Sequence, residues 1–190
     1  MSSYLIYINW NVNPEIFNIG NIAIRWYGLL FASAFVISYI IMKKIFIKEN
    51  VSIELLDKLS MYIAIGTILG ARIGHCLFYE PDYYFSNPAE IIKIWHGGLA
   101  SHGATIGIIL AIILFSIYEK MKLLWVFDRI AIVAPIAGAF IRIGNLMNSE
   151  IYGIKTSLPW GFIFTRADIM NEPHHPTQIY EALGYTIIFI

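Results

Sequence analysis

The feature that most constrains this chain of 190 residues is a series of long apolar runs almost empty of charge. Trp26 to Met42 contains no Asp, Glu, Lys or Arg and is bounded by Arg25 and the pair Lys43 and Lys44. A helix needs about 17–25 such residues to cross a hydrocarbon core of roughly 30 Å. Leu59 to Tyr79 is interrupted only by Arg72 and His75, and Ile94 to Tyr118 carries His96 and His102 but no Asp, Glu, Lys or Arg. A fourth run, Ile130 to Met147, is broken by Arg142, and a fifth starts near Ile179 and is still apolar at Ile190. The pattern predicts an all-α fold, a polytopic membrane helix bundle forming one integral domain over residues 1–190. Its spans are expected at about 22–42, 59–79, 98–118 and 128–148, with an incomplete one at 177–190 and outward loops at 80–97 and 149–176. Composition agrees: 14% of the residues are charged, against about 25% in a soluble domain. The 13 basic and 13 acidic side chains cancel, so a nucleic-acid binder, which needs a net positive surface for phosphates, is excluded. The 5 Trp, 12 Tyr and 12 Phe exclude disorder.

Orientation follows from the basic residues of the short loops, which favour the cytoplasmic side. Lys43, Lys44, Lys48 and Lys58 follow the first run, and Lys120, Lys122 and Arg129 follow the third. The opposite side holds only Lys93, Lys155 and Arg166, with no Lys or Arg ahead of Arg25. The bias predicts the N-terminus outside. The two outward loops then carry Tyr83, Tyr84, Phe85, Trp95 and Trp160, residues suited to an interfacial belt. Met1 to Tyr4 lacks the basic stretch of a cleaved leader, so a retained membrane helix is the expected insertion signal.

An ionisable side chain inside a span costs about 2.5–3.5 kcal/mol on insertion scales and marks a functional hypothesis. Arg72 and Arg142 are such residues, while Arg25 sits at a helix edge from which it can snorkel to the interface. Arg142, Asn145 and Asn148 recur at spacing three, one face of a helix, with Glu150 just beyond. That donor-rich stripe suits an anionic group, since guanidinium offers planar paired bonds to phosphate. An internal bridge from Arg142 to Glu150 without a ligand fits the same residues. His102, flanked by Gly97, Gly98 and Gly103, is either a packing residue or the natural proton acceptor of a site with no other candidate. His96, Gly97 and Gly98 look superficially like an esterase oxyanion loop, but no G-x-S-x-G elbow accompanies them. His174 and His175 are adjacent rather than at metal-ligand spacing, and the single Cys76 reads as a small buried hydrophobe. Neither a metal nor another cofactor is expected. On these residues alone, a membrane transporter or channel for a phosphate-bearing anion remains an alternative to an enzyme.

Five strings carry a more specific message: Arg25 to Gly28, Gly70 to Gly74, Gly97 to Gly103, Arg142 to Gly153 and His175 to Glu181. In order and spacing they resemble prolipoprotein diacylglyceryl transferases over nearly the whole chain, the Arg-x-Gly-Asn…Asn-x-Glu-x-x-Gly run being the most distinctive. The resemblance implies a bacterial plasma (inner) membrane enzyme that moves the diacylglyceryl group of phosphatidylglycerol onto the lipobox cysteine thiol of a prolipoprotein, with glycerol 1-phosphate leaving. It further implies a helical bundle of about seven spans. Arg142 matches the family's phosphatidylglycerol-binding arginine and His102 its essential histidine, and both are expected to be catalytic. Tyr27, Asn145, Glu150 and Gly153 match further functional positions. The candidate lipid-binding set is Arg142, Asn145, Tyr27 and Arg72, with Glu150, Gly153 and Asn148 in support. Family members continue for two more spans, one bearing a further arginine, so the chain is expected to be truncated, either a fragment or an inactive form.

Overall fold

The computed structural model describes residues 7–20, 22–167 and 172–190. The opening Met1 to Tyr4 stretch lies outside them, as does the side chain of His96. In chain order the elements are β1 (Ile8–Trp10), β2 (Glu15–Ile19), β3 (Ile22–Arg25), α1 (Trp26–Lys48), α2 (Ile53–Phe78), α3 (Pro81–Ser86), α4 (Ser101–Tyr118), α5 (Leu123–Met147), β4 (Phe162–Phe164) and α6 (Thr177–Phe189). The fold is all-α in class, with four helices, α1, α2, α4 and α5, long and apolar enough to cross a membrane.

The helices outrun the charge-free windows at several ends. Residues 22–25 form a strand rather than the start of the first span, and α1 continues past Lys43 and Lys44 to Lys48. Cations in a last turn complement the helix dipole, and their stems reach the interface. At its own start α2 reaches back to Ile53, because Ser52 caps it by accepting from the Glu54 amide at 3.2 Å and Glu54 suits the positive end of the dipole.

The chain divides into two compact units, one of residues 1–41 and 131–190 and one of residues 42–130. In the second unit α2 and α4 pack on glycine. A Cβ on Gly66 would strike the Gly107 carbonyl and Ala111, one on Gly70 would strike Gly103 and Gly107, and one on Gly74 would strike Gly103. The Gly66, Gly70, Gly74 series thus meets Gly103, Gly107 and Ala111 in antiparallel order. In lipid, association rests on such close backbone approach. At the lysine-rich end, Glu49 holds Arg129 at 2.8 Å and accepts from Trp125 Nε1 at 3.1 Å, while Lys58 pairs with Glu119 at 2.8 Å.

In the first unit β2 and β3 form an antiparallel hairpin, and β1 pairs in parallel with β4, Ile8 opposite Phe162 and Trp10 opposite Phe164. Phe162 and Phe164 join Leu146 in a small core with Trp10, Tyr152 and Ile179 against it. Trp10 Nε1 donates to the Leu146 carbonyl at 2.9 Å, tying β1 to the last turn of α5.

Candidate active site

The geometry around Arg142 begins with the way α5 stops. Ser149 takes a left-handed conformation, φ 55°, and the Ser149 and Glu150 amides reach back to the carbonyls of Leu146 and Asn145, both at 3.0 Å. This is a Schellman closure, normally built on glycine. It turns Glu150 back over the last helical turn. There Glu150 Oε1 accepts from Asn145 Nδ2 at 2.9 Å and from Asn148 Nδ2 at 3.2 Å. Ile151 is left-handed as well, φ 55°, a costly state for a β-branched residue. Two side chains at the start of α6 hold that turn in place. Gln178 Nε2 donates to the Glu150 carbonyl at 2.7 Å and Thr177 Oγ1 to the Ile151 carbonyl at 3.1 Å.

The internal Arg142–Glu150 bridge considered from sequence is not what forms. Arg142 Nε lies 2.7 Å from Glu181 Oε2 on α6, and its Nη1 is 3.5 Å from Asn145 Oδ1. Glu150 is therefore linked to Arg142 through the Asn145 amide, which faces the arginine with its oxygen and the carboxylate with its nitrogen. Asn148 lies just past the last residue of α5, so the stripe of three is completed by the cap and not by the helix. Tyr27 packs on Gly144, whose missing Cβ would otherwise come within 2.8 Å of the ring. Gly153 is a close-approach position: its amide donates to the His175 carbonyl at 2.8 Å, and a Cβ there would sit 2.6 Å from Thr177. Six candidates, Tyr27, Arg142, Asn145, Asn148, Glu150 and Gly153, fall in the first unit.

Arg72 and His102 belong to the second. Arg72 is 3% exposed and spends its guanidinium on the loop between α2 and α4. Nε donates to the Ile91 carbonyl at 2.8 Å, Nη1 to Gly97 and Gly98 at 2.5 and 3.1 Å, and Nη2 to Glu90 at 2.6 Å. The same group lies over the Tyr84 ring, 4.9 Å from its centroid. Irregular backbone near a membrane survives only where its polar groups find partners, and Arg72 supplies four of them. That occupation leaves little of Arg72 for a lipid headgroup and makes it an organiser of the loop. Replacing Arg72 by leucine should leave those carbonyls unpaired at about 1–3 kcal/mol each where water cannot replace the donor. Limited proteolysis should then cut within residues 80–99 at least tenfold faster, with lysine intermediate because it lacks the planar fork.

His102 is exposed near the N-terminus of α4. Its ring stands edge-on to Phe78 at 5.2 Å and tilted against Tyr79 at 5.8 Å. The neighbouring Gly103 is locked against Gly70 and Gly74, which fixes the helix end that carries the imidazole. Among the described residues no group of three or more His, Cys, Asp or Glu is placed to hold a metal ion.

Glu181, Gln178 and Thr177 were not among the sequence candidates. Their signal lay in the His175 to Glu181 string, but no contact to Arg142 or to the turn after α5 could be read from it before α6 was seen against that end.

A family model described as prolipoprotein diacylglyceryl transferase matches residues 14–190. A protein of Chloroherpeton thalassium named phosphatidylglycerol–prolipoprotein diacylglyceryl transferase is 48% identical over 184 residues, covering 96% of this chain and 68% of its own length. Similarly named proteins of Tolumonas auensis and Bacteroides fragilis are 50% and 42% identical, over 95% and 100% of this chain and 70% and 72% of their own.

Proposed function

The chain belongs to the prolipoprotein diacylglyceryl transferase family, and from that premise we propose that it moves the diacylglyceryl group of phosphatidylglycerol onto the lipobox cysteine thiol of a prolipoprotein. The reaction is a displacement at carbon. The cysteine sulfur bonds to the glyceryl carbon as the carbon–oxygen bond to phosphate breaks, and glycerol 1-phosphate leaves with the electron pair. The thiol proton goes to a base. The observation that carries this reading is the Arg142, Asn145, Glu150 network at the capped end of α5, one guanidinium held in place by Glu181 and Asn145.

In this mechanism Arg142 grips the headgroup phosphate and stabilises the charge that grows on the leaving oxygen. Preorganised cationic donors in a site with little water commonly supply the largest catalytic contribution. Asn145 holds the guanidinium from one side, and Glu150, itself fixed by Asn145 and Asn148, anchors the amide. Tyr27 packs beside this turn. A free thiol, with a reference pKa of about 8.5, is only a few per cent ionised at neutral pH. His102 is the proposed proton acceptor. Its reference basicity is about two units below that of the thiol, so a cation that stabilises the thiolate shares the task. Arg72 serves by fixing the glycine loop ahead of α4. The enzyme sits in the bacterial plasma membrane with its N-terminus outside, so that lipid headgroup and exported prolipoprotein meet at the outer face.

The test is incubation of the full chain in detergent with phosphatidylglycerol and a lipobox peptide. The expected result is a thioether-linked diacylglyceryl peptide, none with a Cys→Ser peptide, and about a 10²-fold lower rate for His102→Gln, the scale of a lost acid–base group. Anion flux across vesicles without peptide modification would instead support a transporter, and unimpaired transfer by His102→Gln would remove the imidazole from the mechanism.

A further inference from the structure

Arg142 is one cation between two carboxylates. Glu181 contacts it directly at 2.7 Å, and Glu150 is joined to it through the Asn145 amide. A guanidinium offers two usable edges, one through Nε and Nη2 and one through both Nη atoms. Glu181 reaches Nε with one carboxylate oxygen. Asn145 meets Nη1 at 3.5 Å, at the limit of a hydrogen bond. Nη2 shares in both edges. Glu181 therefore steers the arginine closely from its Nε side, while the end-on face is met only by the long Asn145 contact.

The position of Glu181 in α6 makes this steering firm. Three residues earlier on the same helix, Gln178 is fully buried and bonds the Glu150 carbonyl, and Thr177 bonds the carbonyl of Ile151. Farther along, Tyr185 packs on Gly138 of α5. The Arg142 contact is thus one rung of a ladder by which α6 registers the end of α5.

Resting on the transferase reading, we infer that Glu181 is a positioning residue for the headgroup phosphate: its carboxylate aims the Arg142 guanidinium and competes, by charge, with the phosphate that Arg142 receives. The two duties act in opposite directions. Losing the carboxylate loosens the arginine and slows turnover, but it also removes a negative charge from beside the incoming phosphate and eases binding. A residue needed only for folding would shift neither parameter per folded molecule. One that touched the headgroup itself would raise KM when removed.

The experiment is a comparison of wild type, Glu181→Gln and Glu181→Asp as the full chain in detergent, with folded fraction checked by circular dichroism and gel filtration. Because Glu181 is partly exposed at the side chain, 38%, Glu181→Gln is expected to fold. Its turnover should fall about tenfold, the scale of a misaligned catalytic contact. Its KM for phosphatidylglycerol should fall about two- to fivefold, as expected for removal of a partly solvated charge. Glu181→Asp, which keeps the charge, should recover part of the turnover. Binding is read separately by titrating phosphatidylglycerol against intrinsic tryptophan fluorescence, where Glu181→Gln should bind tighter by the same factor. Wild-type turnover in Glu181→Gln, a raised KM or weaker lipid binding, or no recovery in Glu181→Asp would each overturn the inference. Absence of transfer by wild type would count against the transferase reading instead, and the binding titration would still judge the role of Glu181.

Discussion

Arg142→Gln is expected to lower diacylglyceryl transfer by about 10²- to 10³-fold, the scale seen when a preorganised donor to developing charge is removed. Glutamine keeps a polar tip that can still meet Asn145 but brings no charge to the leaving phosphate. The loss should fall mainly on turnover, since the interaction strengthens as the carbon–oxygen bond breaks. Arg142→Lys should sit between the two, because a point charge cannot replace a planar fork that must serve Glu181, Asn145 and phosphate together. Folding is expected to survive. The Arg142–Glu181 pair is partly exposed, with side chains 24% and 38% accessible, and such pairs contribute about 1 kcal/mol or less. Single-turnover kinetics with a lipobox peptide, alongside a thermal unfolding midpoint, separates the two effects. A transfer rate within threefold of wild type would remove Arg142 from the chemistry.

The second large effect is structural. Gly107→Val should separate α2 from α4 and cost about 3 kcal/mol or more, the upper end of overpacking penalties. The reason is the nature of the neighbours. A Cβ at Gly107 would overlap the Gly66 carbonyl and press on the Gly70 Cα at 2.9 Å, all backbone atoms that no rotamer change can move. Separating the helices there also opens the contacts of Gly70 and Gly74 with Gly103. A denaturant titration in detergent should show an earlier midpoint and, below it, loss of compact protein on gel filtration. Gly184→Val, at a glycine where a Cβ meets nothing within 4 Å, is the matched control and should leave the midpoint nearly unchanged. An unaltered midpoint for Gly107→Val would show that the close approach is not needed.

Much of the candidate site was readable from the residues because it is local. Arg142, Asn145, Asn148 and Glu150 lie within one helix end, and the spacing of polar groups in an apolar run gives them away. The bond pattern among them was less accessible. A direct bridge from Glu150 to Arg142 fitted the same residues, yet Glu150 accepts from Asn145 and Asn148 because Ser149 adopts a left-handed cap usually reserved for glycine. A serine there gives no sequence warning. Arg72 shows the same limit from the other side. An arginine inside an apolar run reads as a functional charge, but its partners are loop carbonyls, and carbonyls are invisible in a sequence because every residue has one. The small strands were also unmarked. Phe162 to Phe164 has nothing to distinguish it from the rest of an aromatic loop until β1, from the far end of the chain, pairs with it.

What the sequence alone determined were properties additive along the chain: which segments are apolar enough to span, and which polar residues interrupt them. These follow from transfer free energies that depend on residue type and local neighbours. Only the tertiary structure decided what each interrupting charge does. Arg142 meets Glu181 because α6 returns along the capped end of α5, and Arg72 is consumed because the loop between α2 and α4 folds back over it. A guanidinium is the same chemical group in both places. How fully it is occupied depends on how many acceptors the rest of the chain delivers to it, and that is a matter of geometry between segments distant in sequence.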